Sequence, residues 1–113
     1  MNIRVRVRPE ALLVRARGDL TESAAAELLE QVRKELEPQP RNVVLDLSQV
    51  ESIAAGALAY VFRIQGETDQ NHRMIVSGTS EPVRRLLERT HVVEALEVAA
   101  SEEDAFRSVA ASV

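Results

Sequence analysis

The segment Val43-Val44-Leu45-Asp46-Leu47 is an almost continuous apolar run, too short for a helix and without the polar alternation of a half-exposed strand. A run of that kind suits a central strand covered on both faces. Such a strand must be covered by helices from its own chain, which points to an α/β architecture. The flanking sequence supplies them. On the amino-terminal side, Ala24, Leu28, Val32 and Leu36, with Ala25 and Leu29 beside them, recur at helical spacing, while Glu22, Glu27, Glu30, Arg33 and Glu37 take other positions. Thr21 stands where an N-cap is needed, and Pro38 and Pro40 stop the helix. On the carboxy-terminal side, nearly every residue from Ile53 to Phe62 is apolar. Its alanine content and the polar continuation Arg63, Gln65, Glu67 favour helix over strand.

The remaining elements follow from local signals. Ile3, Val5 and Val7 alternate with Arg4, Arg6 and Arg8, the period of a strand exposed on one face. After a turn at Pro9-Glu10, Ala11 to Arg17 reads as a second strand ended by Gly18-Asp19. Leu12, Val14 and Ala16 lie on one face, Leu13 and Arg15 on the other. Arg73 to Val76 is a buried strand closed by Ser77-Gly78. Thr79 or Ser80 caps a helix over Glu81 to Arg89, with Pro82 in the first turn where its missing N–H is harmless. Val92 to Val98 holds a short edge strand, and Ser101 caps a last helix carrying Ala105, Phe106 and Val109. The sum is β-β-α-β-α-β-α-(β)-α in a single domain over 1–113: a sandwich with a mixed sheet of four to five strands and about four helices.

Composition narrows function by exclusion. With no cysteine and only His72 and His91, disulfides, thiolate metal sites and most nucleophilic machinery are absent, so neither an enzyme nor a metal or cofactor site is expected. The four glycines, Gly18, Gly56, Gly66 and Gly78, are too scattered for a phosphate loop. His72 reads as a solvated loop residue and His91 as a cation at a helix end. Asp46 reads first as a turn acid accepting from the N–H groups of Ser48 and Gln49. All basic residues but Lys34 are arginine, and Arg4, Arg6, Arg8, Arg15 and Arg17 gather in the first strands. A net charge of −4 and 3% aromatic residues argue against a nucleic-acid surface. No run approaches the length of a membrane span and the amino terminus lacks an apolar signal core, so a cytoplasmic chain is expected, without direct membrane insertion.

One stretch carries a resemblance. Val43-Val44-Leu45-Asp46-Leu47-Ser48-Gln49-Val50, followed by Glu51-Ser52-Ile53-Ala54-Ala55-Gly56-Ala57-Leu58-Ala59, resembles the STAS domain family, the fold of bacterial anti-sigma factor antagonists. There an apolar strand ending D-L-S-x-V leads within two or three residues to D-S-S-G-L-G at the start of a helix. Gly18-Asp19-Leu20-Thr21, Ser77-Gly78-Thr79-Ser80 with Val83 and Leu86-Leu87, and Glu102-Glu103-Asp104-Ala105 agree in kind and order. In phosphorylatable members, an anti-sigma factor that is also a serine kinase modifies the first of those serines, which breaks its complex with the antagonist. Here Ala55 falls on the phospho-accepting Ser and Ala54 on the Asp before it, and a one-residue shift still leaves alanine in the serine positions. Alanine has no oxygen to accept a phosphoryl group.

The resemblance implies a regulatory protein-interaction module with a partner surface at Ser52, Ala54, Ala55, Gly56, Ala59, Tyr60 and Arg63, not switched at position 55. Leu58, Val61 and Phe62 are expected to pack on the sheet; the competing reading buries the whole alanine-rich helix. The implied partner is an anti-sigma factor kinase, other STAS proteins of a stressosome-type scaffold, or a subunit of a lipid-transport complex. A different class, a nucleotide or small-molecule sensor, would use a cleft at Asp19, Asp46 and Ser48. Thr79 and Ser80 are a candidate second phosphorylation site, and the strand Ile3 to Arg8 offers an edge for a homodimer.

Overall fold

The computed structural model describes residues 1–91 and 95–110. Nine elements follow one another: β1 (Asn2–Val7), β2 (Leu12–Leu20), α1 (Glu22–Leu36), β3 (Val43–Ile53), α2 (Ala57–Glu67), β4 (Met74–Thr79), α3 (Glu81–Thr90), β5 (Glu97–Ala99) and α4 (Glu102–Ala110). The strands form one sheet in the order β1-β2-β3-β4-β5. β1 runs antiparallel to β2, and the other three pairings are parallel. The expected α/β sandwich is therefore present, with the bracketed strand real. Of the predicted edge strand, Val92 to Glu94 lie outside the described residues.

The apolar run behaves as its pattern requires. Val43, Leu45 and Leu47 enter the larger core with Leu12, Val14 and Ala16 and with the buried faces of α1, α2 and α3. Val44 points the other way, into a smaller core with Leu13, Ile75, Ala105 and Val109 of α4. Three helices thus cover one face and α4 covers part of the other. The α1 face is the predicted one: Ala24, Ala25, Leu28, Leu29, Val32 and Leu36 are all buried. Thr21 Oγ1 accepts the Ala24 N–H at 3.0 Å, and Ser101 Oγ accepts that of Asp104 at 3.1 Å.

Three strands run further than the sequence suggests. β2 does not stop at Gly18-Asp19 but continues to Leu20 through a register shift, with Gly18 at φ +105, a backbone angle that disfavours side-chain-bearing residues. β3 extends to Ile53, and its pairing with β2 holds to the last residues, Asp19 with Ser52 and Leu20 with Ile53. β4 includes Ser77, Gly78 and Thr79. The polar residues that look like turn signals sit instead at bulges, where one strand carries an extra residue and a polar side chain meets the displaced backbone. Asp46 is such a case: Ser48 N–H reaches its Oδ1 at 2.8 Å, and the β3–β4 register shifts directly after it.

Candidate functional site

The long β3 delivers the chain to the end of the sheet beside the start of α2. Ala54 N–H donates to Leu20 O at 3.0 Å, and a turn closed by Ala57 N–H on Ala54 O at 2.9 Å and Leu58 N–H on Ala55 O at 3.2 Å leads into the helix. Of the apolar stretch from Ile53 to Phe62, only the part from Ala57 onward is helical, and Gly56 occupies the N-cap without a side chain to accept a bond. Glu22, in the first turn of α1, fills the space beside Gly56, so a Cβ there would collide with its carboxylate. The beginnings of α1 and α2 are therefore neighbours.

The helix divides much as its spacing predicts. Ala57, Leu58, Val61 and Ile64 are buried, and Phe62 is only half-buried at the margin of the core. Ser52, Ala54, Ala55, Ala59 and Arg63 are exposed, with Gly56 and Tyr60 half-buried between them. The fully buried alternative is thereby corrected: the outer face of α2 is covered by no other element of the described chain. The Arg63 guanidinium lies over the Tyr60 ring, 5.2 Å from its centroid, which holds both side chains at the rim of the small-residue surface. Ser52 Oγ donates to Asp19 Oδ1 at 2.7 Å and so faces β2. The expected partner-surface residues fall within residues 52–63, from the end of β3 to the second turn of α2.

The three residues of the suggested ligand cleft are not brought together. Asp46 and Ser48 are bonded to each other, but Asp19 lies opposite Ser52, six positions further along β3 and roughly 20 Å away at strand spacing. Thr79 and Ser80 do not form an open loop: Thr79 ends β4, Ser80 is the N-cap of α3, and Ser80 Oγ is buried without a hydrogen-bond partner. His91 ends α3 in the left-handed region at φ 56, and His72 Nδ1 lies 2.6 Å from Asp69 Oδ1, so His72 is partnered and half-buried, not freely solvated. That contact holds the Asp69 carboxyl below its usual range.

A second polar cluster escaped the sequence reading. Arg15 of β2 makes a two-pronged ion pair with Glu102 of α4, both contacts at 2.7 Å. Arg15 holds the Glu102 carboxyl down at about 2. Partial burial and a hydrogen bond with Glu102 push Asp46 up. With Asn2, Arg4, Arg17 and Gln49 these residues line an open groove of about 330 Å³ on the face that α4 leaves uncovered. The 87-residue separation of Arg15 from Glu102 gives no spacing signal. Among the described residues no cluster of His, Asp or Glu is arranged to hold a metal, and no helix is long and apolar enough to cross a membrane.

Residues 2–105 match the STAS domain, and the chain belongs to that family. An anti-sigma factor antagonist from Mycobacterium paratuberculosis superimposes with a TM-score of 0.86 at 18% identity, covering 96% of this chain and 93% of that one. The anti-sigma factor antagonist SpoIIAA of Bacillus, in its unphosphorylated form, gives 0.81 at 16% identity, with 97% of each chain covered. A sulfate transporter family protein from Wolinella succinogenes gives 0.77 at 20%, covering 95% and 90%. A comparison with curated proteins finds no match.

Proposed function

We propose that this chain is a non-enzymatic regulatory interaction module that docks a protein partner through the surface at the start of α2, in the manner of an anti-sigma factor antagonist, and that phosphorylation at position 55 cannot switch it. One observation carries this reading: an exposed, small-residue surface of Ala54, Ala55 and Ala59, rimmed by Tyr60 and Arg63, at the strand-to-helix junction. Small side chains let a partner's backbone approach closely, and a flat apolar centre with a polar rim is the anatomy of a protein interface. Membership of the STAS family and the likeness to anti-sigma factor antagonists support the type of partner. SpoIIAA has been solved in phosphorylated and unphosphorylated forms; in this chain Ala55, set on the phospho-accepting Ser by the resemblance of the sequence motif, has no hydroxyl, and on this reading docking is constitutive.

Affinity capture from the native cell tests the reading, with wild type and Ala55→Asp as paired baits and bound proteins identified by mass spectrometry. The aspartate places a carboxylate where a phosphate would add roughly −1.5 to −2 charges. An anti-sigma factor of the serine-kinase type retained by wild type and lost by Ala55→Asp is the expected result. Equal recovery of every partner by both baits places the docking surface elsewhere.

A further inference from the structure

β1 is the last strand of the sheet on its side and pairs only with β2. Arg8 N–H donates to Ala11 O at 3.0 Å, which marks Arg8 and Ala11 as a hydrogen-bonded pair. Hydrogen-bonded and non-bonded pairs alternate in an antiparallel ladder, and the β1–β2 register runs from Val7↔Leu12 to Asn2↔Arg17 without a shift. Arg4 and Arg6 therefore direct their backbone groups to β2. The N–H and C=O groups of Ile3, Val5 and Val7 point out at the open edge.

The side chains on this edge are sorted by face. Ile3 and Val5 lean against the larger core, and Val7 is 57% exposed beside them. Arg4 and Arg6 project from the opposite face, where Arg15 and Arg17 of β2 continue the row. Arg33 pairs with Glu30 and Glu67, Arg73 with Glu97, Arg85 with Glu81 and Arg107 with Glu103 and Asp104, and on the arginine face itself Arg15 pairs with Glu102. Arg4, Arg6 and Arg17 have no such partner among the described residues, in a chain that carries 18 acidic residues to 14 basic ones. Glu102 and Asp46 line the groove beside Arg4, Arg15 and Arg17, and Glu102 is taken up by Arg15, so the unpaired charge nearest the open edge is that of Arg4 and Arg6.

We propose that the β1 edge receives, as a sixth strand, an extended protein segment in which carboxylates alternate with apolar residues. A strand added there satisfies the six edge groups of Ile3, Val5 and Val7. Its period of two sets every second residue against Arg4 and Arg6 and the intervening ones beside Ile3, Val5 and Val7. A second copy of this chain fits badly. In an antiparallel two-fold pairing through these groups, Arg4 lies opposite Arg4 or Arg6, or Arg6 opposite Arg6, a like-charge juxtaposition that destabilises a ladder and that, unlike Arg4 opposite Arg15 within the fold, has no Glu102 paired to one of its members. A polynucleotide matches the charge but not the peptide spacing of the edge donors and acceptors. The arginines therefore act both as a barrier to self-pairing and as the selector of an acidic strand.

The test is an NMR titration of the ¹⁵N-labelled 113-residue chain with a capped peptide of alternating Glu and Val, its Lys–Val counterpart, oligoglutamate and a single-stranded oligonucleotide. The Glu–Val peptide is expected to slow amide exchange at Ile3, Val5 and Val7 at least tenfold, while the other three leave those amides unchanged. The Arg4→Glu/Arg6→Glu variant, both positions exposed and its fold checked by its own spectrum, is expected to bind the Glu–Val peptide at least tenfold more weakly and to gain affinity for the Lys–Val peptide. The proposal is overturned if the three amides stay unprotected with the Glu–Val peptide, if the variant binds that peptide as wild type does, or if oligoglutamate or the oligonucleotide protects them equally. Protection that rises with protein concentration alone makes a second copy the occupant and also overturns it.

Discussion

At the scale of single residues, two glycines show how differently one residue type is used. Gly78 sits in β4 at φ +60, and a Cβ there would lie 2.9 Å from the Ser48 Cβ. Gly78→Ala combines a left-handed backbone, unfavourable by about 1–2 kcal/mol for a side-chain-bearing residue, with that contact. Gly66 lies within α2 with nothing near its vacant Cβ position, where alanine is better than glycine by roughly 0.5–1 kcal/mol. Urea unfolding should show Gly78→Ala less stable and Gly66→Ala more stable than wild type; the same sign for both contradicts the strand bulge at Gly78. The Arg15, Glu102 and Asp46 cluster makes a prediction in pH. Glu102, held at about 2 against an ordinary 4.5, stabilises the fold above about pH 4.5, and this contribution fades as pH falls toward 2. Asp46, pushed up, has the opposite sign: once pH rises past its ordinary 3.8, its ionisation opposes folding. Glu102→Gln should therefore lose stability at pH 7, by about 1 kcal/mol or less since the pair is partly exposed, with the difference closing toward pH 2. Asp46→Asn should be as stable as wild type at pH 7 or more so.

At the scale of elements, α1 is held by its buried face and its cap. Leu28 is fully buried, so Leu28→Ala should cost about 2–5 kcal/mol, whereas Thr21→Ala removes one capping bond and should cost about 1 kcal/mol. A Thr21→Ala loss as large as that of Leu28→Ala would show that the helix depends on its end more than on the core. The same element shows what the sequence made readable: six buried positions at helical spacing, one capping residue, two prolines beyond. The strand ends were not readable. Ser48 to Ile53 is polar along much of its length because Ser48, Gln49, Glu51 and Ser52 are exposed while their backbone pairs with β2, so local pattern alone reads as turn what is in fact ladder. Gly18 and Gly78 look like stops because positive-φ glycine marks turns more often than bulges. The exposed residues of α2 were legible from helical spacing; the start of that helix was not, since Gly56 and the alanines before it carry no capping side chain.

At the scale of the whole molecule, three helices on one face and one on the other leave two surfaces without internal cover: the start of α2, which is small and apolar, and the β1–β2 face, which is rich in arginine. The ion pairs among α1, α2, α3 and α4 lie at the surface, where each contributes 0–1 kcal/mol and is screened by salt. Thermal unfolding should accordingly move by only a few degrees between low and half-molar salt; a collapse of the transition in salt would mean that surface charge, not the two cores, holds the fold. The arginine face was visible in the sequence as Arg4, Arg6, Arg8, Arg15 and Arg17, but that Arg15 pairs with Glu102 while Arg4, Arg6 and Arg17 have no such partner among the described residues emerges only in the fold. Partner docking at the start of α2 is tested most directly by a photo-crosslinking residue placed at Ala59 and, separately, at Arg84 on the exposed side of α3, each irradiated in the native cell. Crosslinking of one protein partner from position 59 and none from position 84 is the predicted result. Equal crosslinking from both, or from position 84 alone, would contradict it.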